Sequence, residues 1–220
     1  MDPMLEINLD WPVASQYVVR KCRVLRGERA IYIAENSTIT LRRPLDENPS
    51  LYAEFVKLDG SEKACLNFAH RYGTLRFDPR YPGFDTTADP GVFETLSGWR
   101  DSIKNVQDII QRCGLSRDNP REAFRQFGKK DKSLSGVELS LSIKNSISPA
   151  TLEMRADRLI AGMQLQAIQA ILLEGHRSVQ CIECSRPFLI GGGARRSQSK
   201  FCSTRCKDSY HNRLKAQARR

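Results

Sequence analysis

The sequence predicts an α+β chain, with mixed strands and helices over residues 1–175 and a small cysteine-paired module over residues 176–220. Three observations predict it. Short β-rich runs with period-two alternation occur before residue 43 and again after residue 136. Apolar stripes at spacings of three and four lie between and after them and mark helices. Four of the seven cysteines fall in two tight pairs within the last forty residues.

Residues 17–25, 30–34 and 38–42 read as strands, separated by Arg26-Gly27-Glu28 and Glu35-Asn36-Ser37. Ile31 and Ile33 flank Tyr32, and Ile39 and Leu41 alternate with Thr38 and Thr40, so a meander of short antiparallel strands is expected. Pro44 and Pro49 break this pattern, and a short helix follows over residues 49–58. Ser61 then caps a helix with Ala64, Cys65, Phe68, Ala69 and Tyr72 on one face, stopped by Gly73. Residues 74–92 are rich in Pro, Gly and Asp and read as a long loop. The next helix spans residues 93–113, with Leu96, Trp99, Ile103, Val106, Ile110 and Cys113 as its stripe and Gly114 as its stop. That stripe suits a packed core helix; its near-heptad spacing also suits the seam of a homodimer formed through the N-terminal region.

Asn119-Pro120 opens a further short helix carrying Phe124 and Phe127. After the basic connection at residues 128–132, Val137, Leu139, Leu141 and Ile143 alternate with Glu138, Ser140, Ser142 and Lys144. That is a half-buried strand, and Leu152 and Met154 belong to its hairpin partner. Asp157 caps a last helix running to residue 174, with Leu159, Ile160, Met163, Ala167, Ile168, Ile171 and Leu172 facing the core, and Gly175 ends it.

No apolar run approaches the ~20 residues of a membrane span. The acidic opening MDPMLEINLDWP lacks the basic and apolar regions of a secretory signal, which places the chain in the cytoplasm. Thiols stay reduced there, so the cysteines are ligands or core residues before they are disulfides. The net charge of +10 is concentrated at one end. Residues 176–220 carry eleven Lys and Arg against Glu183 and Asp208, whereas residues 1–175 carry 24 basic and 23 acidic side chains. A concentrated basic patch is the electrostatic footprint of a polyanionic partner; a solvated charged tail is the plainer alternative.

Cys181, Cys184, Cys202 and Cys206 follow the pattern C-x2-C, seventeen residues, C-x3-C. Two paired-cysteine units converging on one ion make a tetrahedral zinc site, with one Zn(2+) per chain. The intervening segment must go out and return. Residues 188–190 and 199–201 are its expected hairpin arms, with Gly191-Gly192-Gly193 at the tip. Ser203 is a good N-cap, which puts Cys206 on the first turn of a polar helix reaching toward Arg220, whose sizeable apolar residues Tyr210 and Leu214 are expected to pack on the hairpin near Phe188 and Phe201. Knuckle, hairpin and cysteines at a helix start together describe a treble clef. A redox reading of Cys181-x-x-Cys184 lacks the βαβ context it needs.

The runs CIECSRPF and KFCSTRCKDSYHNRLKAQARR resemble the C-terminal treble-clef fingers of bacterial proteins, among them the CGNR-type zinc-finger family. Cys206 is followed by Lys-Asp-Ser where that family has Gly-Asn-Arg. The resemblance implies a DNA-binding bacterial or phage regulator. Arg195, Arg196, Lys200, Arg205, Lys207, Arg213, Lys215, Arg219 and Arg220 are then the candidate phosphate contacts. Asn212, Arg213 and Gln217 are candidates for base edges of double-stranded DNA.

Two rival readings remain open. In one, zinc stabilises a finger that docks an acidic protein partner. In the other, residues 1–175 form an enzyme that the finger targets, although no catalytic constellation is evident. His211-Asn212 invites comparison with His-Asn-His nucleases, but only Asp208 lies nearby and four cysteines already complete a structural site. His70, Arg71 and Tyr72 could bind an anion, though a histidine there more often serves the helix C-terminus.

Overall fold

Strand pairing draws together segments far apart in sequence. The computed structural model describes residues 6–22, 25, 27–76, 93–115, 137–142, 151–172, 176–190 and 199–217. The chain divides into two compact units, Met1–Asn105 with Lys132–Gln166, and Val106–Asp131 with Ala167–Arg220.

In the first unit, β3 (Tyr17–Lys21) and β4 (Arg29–Ile33) form the expected antiparallel hairpin, with Val19 opposite Ile31. The expected meander stops there. The other edge of β4 is taken by β6 (Phe93–Thr95), which the sequence assigns to a helix. The third expected strand, β5 (Ile39–Arg42), instead pairs antiparallel with β2 (Trp11–Ala14). The reason is burial: β2 is buried at all four positions, whereas all four residues of β5 are exposed, so β5 covers β2. β1 (Glu6–Asn8) runs parallel to β8 (Thr151–Ala156), which pairs antiparallel with β7 (Val137–Ser142) as the alternating pattern predicts.

Pro44 does not merely break the pattern. It opens α1 (Pro44–Glu47), where its fixed φ suits a first helical turn. The expected short helix is α2 (Leu51–Phe55). In α3 (Glu62–Tyr72) the Ser61 side chain accepts from the Ala64 N–H, and Cys65, Phe68, Ala69 and Tyr72 are buried. In α4 (Leu96–Leu115) every residue of the expected stripe is buried within a single chain, which is the core-helix reading. Phe55, Phe68 and Trp99 meet there with ring centroids 5.2–6.2 Å apart.

The last helix of the first 175 residues, α5 (Leu159–Leu172), departs from expectation. It is buried not on one face but all round: every described side chain from Leu159 to Ile171 is buried except Gln169. Gln166 lies inside because it is satisfied there, donating to the carbonyls of Leu45 (3.2 Å) and Asn48 (3.1 Å). The expected helix with Phe124 and Phe127 and the loop at residues 77–92 lie outside the described residues. Among the described residues no helix is long and apolar enough to cross a membrane.

Gly73 ends α3 with φ +91° and ψ −175°, a region essentially restricted to glycine. A Cβ there would sit 3.0 Å from the Pro12 carbonyl oxygen and 3.0 Å from the Trp11 ring. That ring is held by its own Nε1, which donates to the Thr74 carbonyl at 2.8 Å. Gly73→Ala is therefore expected to cost roughly 1–3 kcal/mol in urea unfolding followed by tryptophan fluorescence. A variant as stable as the parent would show that the backbone at Gly73 relaxes freely.

Candidate metal centre and basic helix

The four cysteines predicted as ligands come together. Their sulfur atoms all lie within 4.8 Å of one another, and no other such group of His, Cys, Asp or Glu occurs among the described residues. Sγ of Cys202 is 3.5 Å from Sγ of both Cys184 and Cys206. A disulfide needs about 2.05 Å. Tetrahedral metal–sulfur bonds of about 2.3 Å set sulfur–sulfur edges near ~3.8 Å, within the observed spread. Cys181 and Cys202 are buried, and Cys184 and Cys206 are half-buried.

Local structure places each pair. Cys181 and Cys184 occupy the turn between β9 (Arg177–Gln180) and β10 (Pro187–Ile190), an antiparallel hairpin with Gln180 opposite Pro187. Cys181 N–H donates to the Arg186 carbonyl (3.0 Å), and Ser185 N–H donates back to the Cys181 carbonyl (2.8 Å). Ser185 takes φ +57° to close the knuckle. Cys202 and Cys206 straddle the start of α6 (Thr204–Gln217), where Ser203 Oγ accepts from Cys206 N–H at 3.2 Å, the cap the sequence predicts. The pairs are joined by a bond from Ile182 N–H to the Lys200 carbonyl (3.2 Å).

The hairpin arms require correction. Residues 188–190 pair with residues 177–179 and not with residues 199–201, which are not in a strand. The six-residue turn that carries Cys181 and Cys184 is closed most directly by the strands that immediately flank it. Gly191, Gly192 and Gly193 lie outside the described residues.

The close approach of the four sulfurs perturbs the thiols. Burial raises Cys181, but backbone hydrogen bonds from Cys202, Cys184 and Glu183 outweigh it and bring the thiol down to about 6. Burial raises Cys184. Burial, reinforced by the neighbouring sulfurs of Cys206, Cys184 and Cys181, pushes Cys202 well above the ordinary thiol range. Sulfurs this close cannot all ionise against one another, and a bound divalent cation removes the conflict. Cys65 and Cys113, by contrast, are lone buried thiols, each raised to about 11 chiefly by burial.

Helix α6 carries the candidate nucleic-acid contacts, and none of its residues is buried. Arg205, Lys207, Asn212, Lys215 and Gln217 are exposed on it, and Lys200 is exposed just before it. Arg195, Arg196, Arg219 and Arg220 lie outside the described residues. Tyr210 packs on Phe201 as its apolar character suggests, at 5.3 Å between rings, and His211 lies 6.1 Å from the same ring. Leu214, the other apolar residue expected to dock, is 44% exposed. Glu183, which no apolar pattern singles out, also meets the helix. It accepts from Ser209 Oγ at 2.8 Å and forms an ion pair with Arg213 at 2.9 Å. The signal available was its rarity, an acidic residue between two ligands in a strongly basic stretch.

The possible anion cluster at residues 70–72 is otherwise engaged. Arg71 pairs with Glu54 at 2.6 Å, Tyr72 Oη donates to the same carboxylate at 2.9 Å, and His70 lies edge-on to Tyr17 at 5.7 Å.

These features define a chain with a four-cysteine cluster that could hold a metal ion, beside an exposed basic helix. No protein-family model matches the sequence, and comparisons with curated proteins and with solved structures find no significant match.

Proposed function

We propose that residues 176–220 form a treble-clef-like zinc finger of the kind seen in CGNR-type proteins, and that this finger binds double-stranded DNA without catalysing a reaction. Cys181, Cys184, Cys202 and Cys206 hold one zinc ion, whose role is structural: all four positions are protein sulfur, leaving no open site for chemistry. The observation that carries the reading is α6. A helix fixed at its first turn by Cys206, with no buried residue and with Arg205, Lys207 and Lys215 exposed, offers solvent a rigid basic rod. Phosphate contacts supply affinity there, and Asn212 and Gln217 are placed on the same exposed helix for base edges.

The test is duplex binding by the full chain across a salt series. With about five phosphates neutralised, log K should fall against log salt with a slope near −4 to −5. Salt-independent binding, or none, would defeat the reading. Exposed Ile182 (52%) and Leu214 (44%) favour a second reading, in which the finger docks an acidic protein. That reading predicts capture of an acidic peptide that duplex DNA does not displace.

A further inference from the structure

Helix α6 reaches the metal knuckle through few side chains. Cys206 on the first turn, the Ser203 cap and the contacts of Tyr210 and His211 with Phe201 attach its start and middle, and Glu183 adds a polar attachment. Its carboxylate side chain is 14% exposed and lies within the Cys181–Cys184 turn. Oε1 accepts from Ser209 Oγ, and Oε2 faces the Arg213 guanidinium as an ion pair without the alignment of a hydrogen bond. Ser209 and Arg213 are four residues apart, so they share one helix face and the carboxylate grips two consecutive turns. The Arg213 guanidinium also lies over the Tyr210 ring, 5.6 Å from its centroid. A carboxylate in this position opposes a polyanion, so its presence calls for a role other than direct contact.

We propose that Glu183 is a latch that sets the direction of α6 relative to the knuckle. Arg213 is then a positioning residue spent on the latch, and Arg205, Lys207 and Lys215 make the phosphate contacts. The second half of this rests on the nucleic-acid reading; the latch itself does not.

The test uses the full-length zinc-loaded chain and the variants Glu183→Ala, Glu183→Gln, Ser209→Ala and Arg213→Ala. Metal content, amide exchange over residues 204–217 without nucleic acid, and duplex affinity across a salt series are measured. Glu183→Ala should exchange faster around residues 209–213 and bind DNA about threefold to tenfold more weakly. Simple charge removal predicts the opposite sign, because deleting a carboxylate from a basic surface strengthens polyanion binding. Glu183→Gln, which keeps an acceptor for Ser209, should recover part of the loss. Arg213→Ala should weaken binding while the salt slope stays unchanged, whereas a phosphate-contacting arginine would lower it by about one. Should Glu183→Ala lose metal, Ser209→Ala leaves the knuckle intact and should show a smaller effect of the same sign.

Tighter binding by Glu183→Ala, or a slope lowered by Arg213→Ala, would overturn the assignment of Arg213. Unchanged exchange in both Glu183→Ala and Ser209→Ala would overturn the latch. If the wild-type chain binds no duplex, the nucleic-acid reading fails alone, and faster exchange in the variants still upholds the latch.

Discussion

Cys202→Ser should purify with little or no zinc against one per chain in the wild type, and residues 176–190 and 199–217 should lose their amide protection. Cys202 is the buried ligand whose sulfur lies 3.5 Å from two of the other three. A serine hydroxyl in its place is a poor zinc ligand and would leave three thiols crowded without their cation. The module has little else to hold it. Its buried core among the described residues consists of Phe188 and Ile190 with Cys181 and Cys202, and the ligands make up half of that core. A module of this size rarely folds on so few apolar groups without metal or cross-links. Structural zinc contributes about 10–16 kcal/mol in comparable small modules, so its loss should be all-or-none. The two tryptophans give an internal control. Trp11 and Trp99 both belong to the first unit and are almost wholly buried, so their fluorescence should be unchanged by the substitution. Elemental analysis of protein purified without chelator, together with amide exchange, decides the matter. Normal zinc content, or full protection of residues 204–217 in the variant, would show that the cysteines do not hold the module together.

What the sequence revealed and concealed follows from the range of the interactions. The clustering of the four cysteines was legible because metal geometry constrains cysteine spacing locally, and the cap at Ser203 was legible because it spans three residues. The same holds for α3, bounded by Ser61 and Gly73. The partner of β10 was not, since Arg177-Ser178-Val179-Gln180 holds a single apolar residue and shows no alternation. The pairing of β5 with β2 escaped for a different reason. Pro12 weakens the strand signal of β2, and nothing local states that a strand skips its sequence neighbour. Leu214 was misjudged because a search for apolar anchors cannot see an ionic one. Glu183 holds the face that leucine was expected to hold. The buried character of α5 was hidden by Gln164 and Gln166, which read as a solvent face until their partners are known.

Gln166→Leu should destabilise the first unit by roughly 2–4 kcal/mol despite placing an apolar residue in an apolar setting. Gln166 is 6% exposed, and its side chain ties α5 to the short helices α1 and α2. Nε2 donates to the Leu45 carbonyl in α1 and to the Asn48 carbonyl that follows it, while Oε1 accepts a long bond from Tyr52 N–H in α2. Helices of four and five residues cannot satisfy their own end groups, and such helices have no stability in isolation. Asn48 retains a second donor, the N–H of Leu51 at 3.0 Å, but the Leu45 carbonyl loses the partner that Gln166 supplied. Leucine matches the volume closely, so a cavity contributes little and the cost comes from desolvated polar groups left unmade. Gln169→Leu is the matched control: the same exchange on the same helix, at the half-exposed position of an otherwise buried stretch, should change stability by less than about 0.5 kcal/mol. Both variants are read by urea unfolding, with Trp11 and Trp99 reporting on the first unit and amide exchange over residues 167–172 reporting on the second, to which Gln169 belongs. If the two substitutions cost the same, Gln166 is a tolerated passenger in the core. The short helices α1 and α2 are then held by the burial of Leu45, Leu51 and Phe55 alone.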